Sequence, residues 1–316
     1  MKYVLLAGET RIFPHLLERI PRPGLYSWVA VFKGKLQRWA EYRTNPDALN
    51  ENDIVHINLA AKDIGLASKV AEFLDSSTKL VVNMDYSIER LPSELQHTGK
   101  SLHTLAQDLN VADMAFGVEP FQVAFMNYLM KEKHPCLLSH PIDVESMSKL
   151  SVPVDKRMQK IAYHFRNGST NGSTIAQSII DAPSILLGWD IETDMPMPNE
   201  VIPVPLTTWD SYIEALKHCT LGFEYRFHHA ASRFVLECAS LGIPVLSSDY
   251  SYLTRKIWPS LSFEPHEFEA MHRKLEEIAQ DDEMRIMLAN NGMKNVQWFN
   301  LDHSRERFLL ALSTRQ

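Results

Sequence analysis

Cysteine is scarce in this sequence, with three among 316 residues: Cys136, Cys219 and Cys238. They are odd in number and far apart, so they imply neither a disulfide framework nor a metal cluster, and a reducing cytoplasm is the default compartment. Long apolar runs are missing as well. No stretch approaches the roughly 20 residues needed to cross a bilayer, so no integral membrane segment is expected. A peripheral membrane location stays compatible with the chain, although no strongly basic amphipathic helix supports it. The apolar part of the opening MKYVLLAGETRIF is too short for a signal peptide and reads as a first strand. Positive charge is not in excess. Lys and Arg number 32 against 39 Asp and Glu, a formal charge of −7, which argues against a nucleic-acid partner. Low-complexity tracts and short-period repeats are absent.

What is present is an alternation. Hydrophobic residues make up 45% and charged residues 22%, the composition of a globular protein long enough for two domains. Strands are expected at KYVLLAG from Lys2, LYSWVAVF from Leu25, DIVHINLA from Asp53, TKLVVNMDY from Thr78, near Met114 and at HPCLLSHPI. Helical spacing falls between them, from His15 to Ile20, in AAKDIGLASKVAEFLD, in SLHTLAQDLNV and in FQVAFMNYLMKEK. Periodicity lapses over VESMSKLSVPVDKR, where a domain boundary is expected. The alternation then resumes with KIAYHF, a polar loop RNGSTNGS, helix TIAQSII, strands APSILLGW and VIPVPLT, helix TWDSYIEALKHC and strand TLGFEYRF. After LSFEP the chain is nearly all helical. Strands separated by helices imply parallel sheets built from βαβ units. The expectation is an α/β protein with two Rossmann-like domains facing across a cleft. The boundaries fall at 1–150 and 151–300, and a last helix, 301–316, returns to the first domain.

The most informative stretch is RFVLECASLGIPVLSSD, from Arg233 to Asp249. An apolar helix stops at Gly242, which suits a left-handed cap, and Pro244 opens a buried strand. Glu237 lies within that apolar helix. A carboxylate in such a setting is paired, capped or bound to a ligand. An ion pair with Arg233 one turn earlier is the plain alternative and supplies only about a few tenths of a kcal/mol.

The order of elements and these motifs resemble the GT-B glycosyltransferases, most closely the large retaining group called family four. In that family a strand leads into a glycine–arginine pair and then a lysine–glycine pair, which hold the diphosphate of a nucleotide sugar. Here Arg166 matches the arginine and Gly172 the second glycine, while Phe165 and Asn171 replace the first glycine and the lysine. The family also carries two glutamates with seven residues between them. Glu237 matches the second, which binds the nucleotide's ribose, and His229 stands at the first, which lies near the transferred sugar. Ala230-Ala231-Ser232 replaces the usual glycine–phenylalanine–glycine. Asp85 ends the fourth expected strand where relatives carry a histidine–aspartate pair, with Met84 in place of the histidine.

The resemblance implies a glycosyltransferase that takes a UDP- or GDP-sugar as donor, needs no metal or other cofactor, and retains the anomeric configuration. Arg166, Asn171, Gly172 and Glu237 would bind the donor, and Asp85 and His229 would serve the reaction centre. The acceptor, a glycan, a lipid-linked molecule or a small molecule, would enter near Gly8 to Arg11 and Asp85. The substitutions at Met84, Asn171 and His229 support an alternative: a degenerate GT-B protein that binds nucleotide, glycan or a protein partner without turnover. A sugar-nucleotide epimerase is a third reading. Each candidate has a plain counterpart. Arg166 would be an ordinary loop cation, Asp85 a turn-former, His228 and His229 surface polar residues. His56 and Asn58 read as satisfied polar residues of a strand, and Trp28, Trp39 and Trp189 as packing residues.

Overall fold

The computed structural model describes residues 1–8, 25–84, 87–165, 184–188, 201–205, 209–226 and 228–314. The expected helix from His15 to Ile20, the RNGSTNGS loop, helix TIAQSII and Trp189 lie outside them. The chain divides into two compact units. One comprises Met1–Asp143, His229–Ala231 and Phe299–Gln316; the other comprises Val144–His228 and Ser232–Trp298.

The first unit holds strands β1 (Tyr3–Ala7), β2 (Lys35–Arg38), β3 (Ile54–Leu59), β4 (Lys79–Met84), β5 (Met114–Gly117) and β6 (Cys136–Leu137). They pair in parallel in the order β2-β1-β3-β4-β5-β6. Its helices are α1 (Leu25–Phe32), α2 (Trp39–Tyr42), α3 (Leu66–Ala71), α4 (Leu91–Thr98), α5 (Leu102–Val111), α6 (Pro120–Leu129) and, from the far end of the chain, a closing helix Leu301–Ser313. Alternation sends successive side chains to opposite faces. Val4, Leu6, Val55, Ile57 and Val82 pack on one face with Leu66, Val70, Leu105 and Leu109. Tyr3, Leu5, Ile54, Val81 and Phe116 face the other side, with Trp28, Phe32 and Phe308.

One expected strand is a helix. LYSWVAVF forms α1 because its bulky residues recur at helical as well as strand spacing, and Trp28, Val31 and Phe32 are buried along one stripe. The helix ends in a Schellman arrangement, with Lys33 at φ 50 and the Gly34 N–H donating to the Val29 carbonyl at 2.9 Å. A side chain on Gly34 would strike the Tyr3 carbonyl, so glycine is what lets β1 lie this close. The true second strand is KLQR, a short cationic edge strand with no apolar run to announce it.

The second unit holds β7 (Met158–Phe165), β8 (Ser184–Gly188), β9 (Val201–Pro205), β10 (Cys219–Glu224), β11 (Val245–Ser248) and β12 (Ser262–Phe263). They are parallel in the order β12-β11-β10-β7-β8-β9. Its helices are α7 (Val144–Ser148), α8 (Trp209–Leu216), α9 (Arg233–Ser240), α10 (Tyr252–Ile257), α11 (Phe268–Gln280) and α12 (Asp282–Asn295); the closing helix Leu301–Ser313 is α13. As the sequence suggests, α9 stops at Gly242, which takes φ 69, and the chain passes straight into β11. The strand order reverses between β1 and β3 in the first sheet and between β7 and β10 in the second. Ligands of open parallel sheets gather at the carboxyl ends of strands flanking such reversals.

Candidate functional site

In the second unit, β10 ends at its sheet's reversal point with Glu224, followed by Tyr225 and Arg226. Glu224 is buried. Its Oε1 accepts from Arg226 Nη2 at 2.6 Å and from Ser232 Oγ at 2.6 Å, and its Oε2 accepts from Ser251 Oγ at 3.1 Å. Ser248, the last residue of β11, accepts from the Arg226 N–H at 3.0 Å and donates to the Arg226 carbonyl at 2.9 Å. These bonds clamp Arg226 at both backbone and head. Its Nε is nonetheless buried without a hydrogen-bond partner among the described residues, as is Oδ1 of Asp249, just beyond β11. Buried polar atoms left unpaired in this way are uncommon and cluster where ligands or waters complete them.

Glu237 lies on α9, 5% exposed, and accepts a hydrogen bond from the Tyr212 hydroxyl of α8. Around it Val235, Leu236, Cys238 and Ala239 are fully buried, so the helix is sequestered on nearly every side. Burial, reinforced by the neighbouring Glu237 carboxylate, pushes the Cys238 thiol well up and leaves it unreactive.

His229 belongs to the first unit with Ala230 and Ala231, although the flanking His228 and Ser232 belong to the second. Its backbone N–H donates to Glu89 Oε1 at 3.1 Å, and its Nδ1 lies 2.7 Å from the same oxygen. Glu89 sits on the turn Ile88–Arg90 that follows β4, and Ser87 Oγ donates to its other oxygen at 2.6 Å. Burial opposes ionisation of Glu89, but the Ser87 hydroxyl and the two His229 donors outweigh it and hold the carboxyl down at about 2. Phe121 of α6 stacks on the imidazole with ring centroids 4.7 Å apart. Glu119 caps α6 by accepting from the Phe121 and Gln122 N–H groups at 2.8 and 2.7 Å, and burial raises its pKa in spite of those bonds.

At the first sheet's reversal, Gly8 follows β1 and lies against the buried carboxylate of Asp63, which any side chain at position 8 would strike. In mid-sheet, His56 pairs with the Tyr3 hydroxyl through Nδ1, and its Nε2 lies 2.8 Å from Asn83 Oδ1. His56 is thus a satisfied core residue, as its mid-strand position suggests, and Trp28 is a packing residue with no exposed surface.

Of the six residues expected to bind the donor or serve the reaction centre, Glu237 and His229 are described, one in each unit. Asp85, Arg166, Asn171 and Gly172 lie outside the described residues. Sequence reasoning passed over Glu89, Glu224 and Arg226. The acid–base pair two residues apart at a strand end carried a signal for the last two. Glu89 carried none, because its partner is 140 positions away. Among the described residues no group of three or more His, Cys, Asp or Glu side chains could hold a metal ion. No described helix is long and apolar enough to cross a membrane.

No protein-family model and no curated protein matches this sequence. Solved structures do. HepE from Anabaena, in complex with UDP-glucose, superposes with a TM-score of 0.73 at 12% identity, covering 99% of this chain and 100% of its own. Sucrose-phosphate synthase from Thermosynechococcus elongatus gives 0.70 at 11% identity, covering 99% of each chain. TarM gives 0.62 at 11% identity over 82% of this chain, which spans only 54% of TarM. At such identities the likeness shows the fold, and that fold is GT-B: two Rossmann-like domains with parallel sheets.

Proposed function

We infer that this chain transfers a sugar from a nucleoside-diphosphate sugar to an acceptor. The observation that carries the inference is Glu237. It is a buried carboxylate on the helix that follows the reversal-point strand, in a GT-B fold shared end to end with a protein that holds UDP-glucose. In this reading Glu237 accepts from the ribose hydroxyls, and Arg166 grips the diphosphate with the loop that includes Asn171 and Gly172. A guanidinium there stabilises charge that grows on the phosphate oxygens as the glycosidic bond stretches, so it favours the transition state over the ground state. That neutralisation comes from the protein, which is the basis for a metal-free reaction; retention of configuration follows from the family resemblance alone. His229 and Asp85 serve the reaction centre. UDP is the favoured nucleotide, and the acceptor is a glycan, a lipid-linked molecule or a small molecule. A cytoplasmic location fits the free thiols.

A thermal-shift screen with UDP, GDP and their sugars tests the donor. A ligand at about a hundred times its dissociation constant adds roughly 2.7 kcal/mol of stability. The shift is expected with UDP-glucose and is expected to vanish in a folded Glu237→Ala variant. A shift that survives that substitution removes Glu237 from the donor site. One observation favours a second reading, binding without turnover: the Tyr212 hydroxyl already occupies part of the Glu237 carboxylate. A shift with UDP-glucose and no release of UDP, with or without sugar acceptors, supports that reading.

A further inference from the structure

Two contacts join Glu89 to His229, and both end on the same carboxylate oxygen. The backbone N–H of His229 donates to Glu89 Oε1 at 3.1 Å, and the ring's Nδ1 sits 2.7 Å from it. A single hydrogen bond leaves an imidazole free to swing; a main-chain and a ring contact to one oxygen fix both the backbone and the first side-chain torsion. Phe121 then covers a face of the ring, 4.7 Å away and tilted by 31°, and resists rotation about the second. On the far side, Ser87 Oγ donates to Glu89 Oε2 at 2.6 Å and sets the carboxylate's own heading.

The chemistry of this arrangement is directional. An ionised carboxylate only accepts, so Nδ1 must carry the proton. In the neutral imidazole the lone pair then resides on Nε2, and the group that orients one ring nitrogen decides what the other can do. An Nε2 lone pair held in one direction accepts from a single O–H donor. A carboxylate in its place would offer about four lone-pair sites and discriminate less.

We propose that Glu89 is the positioning residue of His229. By taking the Nδ1 proton it fixes the imidazole's tautomer and heading, so that Nε2 accepts a hydrogen bond from one hydroxyl of the sugar substrate. This rests on the reading of His229 as a reaction-centre residue. Glu89 itself does not touch the substrate. Glu89 stays ionised at ordinary pH, held so by Ser87 and His229, so its oxygens only accept.

Nitrogen-15 NMR of the histidine-labelled full chain, without any ligand, reads the pairing directly. The wild type is expected to show His229 in the Nδ1–H tautomer. Glu89→Ala is expected to lose that preference, and Glu89→Gln, which still offers an accepting oxygen, to keep it. UDP release from UDP-glucose supplies the second readout. Loss of aim can cost up to about 100-fold in kcat/KM, so Glu89→Ala is expected to fall toward that limit, and Glu89→Gln to recover most of the loss. A wild-type Nε2–H tautomer, an unchanged spectrum in Glu89→Ala, or equal loss of turnover in the two variants overturns the proposal. Should Glu89→Ala fail to fold, Glu89→Lys, which faces Nδ1 with a donor instead of an acceptor, is expected to move the proton to Nε2, and an unchanged tautomer there overturns the proposal. A protein that keeps the tautomer but turns over no nucleotide sugar overturns the functional reading and, with it, the sugar hydroxyl as ligand, while leaving the pairing itself standing.

Discussion

The two sheets have six parallel strands apiece, yet they keep their buried polar groups in different places. The first sheet carries Tyr3, His56 and Asn83 on one face, running from the start of β1 through the middle of β3 to near the end of β4, with His56 covered by α1 and by Phe308 of α13. The second carries Glu224, Arg226, Ser232, Ser248 and Ser251 at its carboxyl end. A polar group sealed within a core must find its partners inside the protein, and it then acts on stability and strand alignment. One at the carboxyl end of a reversal-point strand stands where such sheets meet ligands. The unpaired atoms follow the same division in part: Arg226 Nε and Asp249 Oδ1 wait at the strand ends of the second sheet. In the first unit, Trp28 Nε1, Asn58 Oδ1 and the amide nitrogen of Asn83 are also buried without a partner among the described residues, so the division is partial.

Substitutions can break this contrast. The largest effect is expected from Phe308→Ala, which lifts the cover from the mid-sheet cluster. Phe308 lies 4.9 Å from Phe32 and 5.2 Å from Trp28, centroid to centroid, and packs near Tyr3, His56 and Phe116. Urea unfolding should register a loss of about 3–5 kcal/mol, as for other buried aromatics cut back to alanine. Next comes Glu224→Ala, which strands the Arg226 guanidinium. About 3 kcal/mol of stability should disappear, and Glu224→Ala combined with Arg226→Met should regain part of it, because breaking one side of a buried pair costs more than replacing both. If the single and double variants unfold alike, the strand-end cluster is not held by that pair.

The smallest effect sharpens the mid-sheet side through pH. Burial, with a contribution from nearby His140, lowers the His56 pKa to about 3, although its bond to Asn83 opposes the shift. In the unfolded chain the same imidazole titrates near 6.5, so between these values the unfolded state binds the extra proton and stability falls as pH drops. From pH 6.5 to 5 the loss attributable to His56 should be about 1.5 kcal/mol. Unfolding midpoints compared with those of His56→Leu isolate it, and equal pH slopes in the two proteins would remove His56 as the cause.

The framework was largely legible in the sequence. Parallel strands covered on both faces read as near-continuous apolar runs; β1 is one, and β3, β4, β10 and β11 keep an apolar majority or half interrupted by residues such as His56, Asn83, Thr220 and Ser247. Where the signal failed, the reason is local. Leu25–Phe32 is so uniformly apolar that strand and helix spacing both fit, and tertiary burial chose the helix. Lys35–Arg38 is polar because it lies at an edge. The helix Tyr252–Ile257, only six residues long, gives too few turns for a periodic stripe. At the site level, a residue could be picked out when its own surroundings were odd, as with Glu237 in an apolar helix. Glu89 sits in unremarkable sequence, and its meaning comes wholly from a partner brought near by folding.

The burial of Phe308 against Trp28 and Tyr3 also has a temporal side. A ribosome extends a chain by roughly 5–20 residues per second, so the stretch from Asp143 to Phe308 emerges over a span on the order of ten seconds or more. Until then one flank of the nascent first sheet, including Phe32 and Phe116, has no lid. A newborn chain of this protein must therefore carry an open greasy surface until Phe308 has emerged, and a stop codon placed before Phe308 would make that exposure permanent.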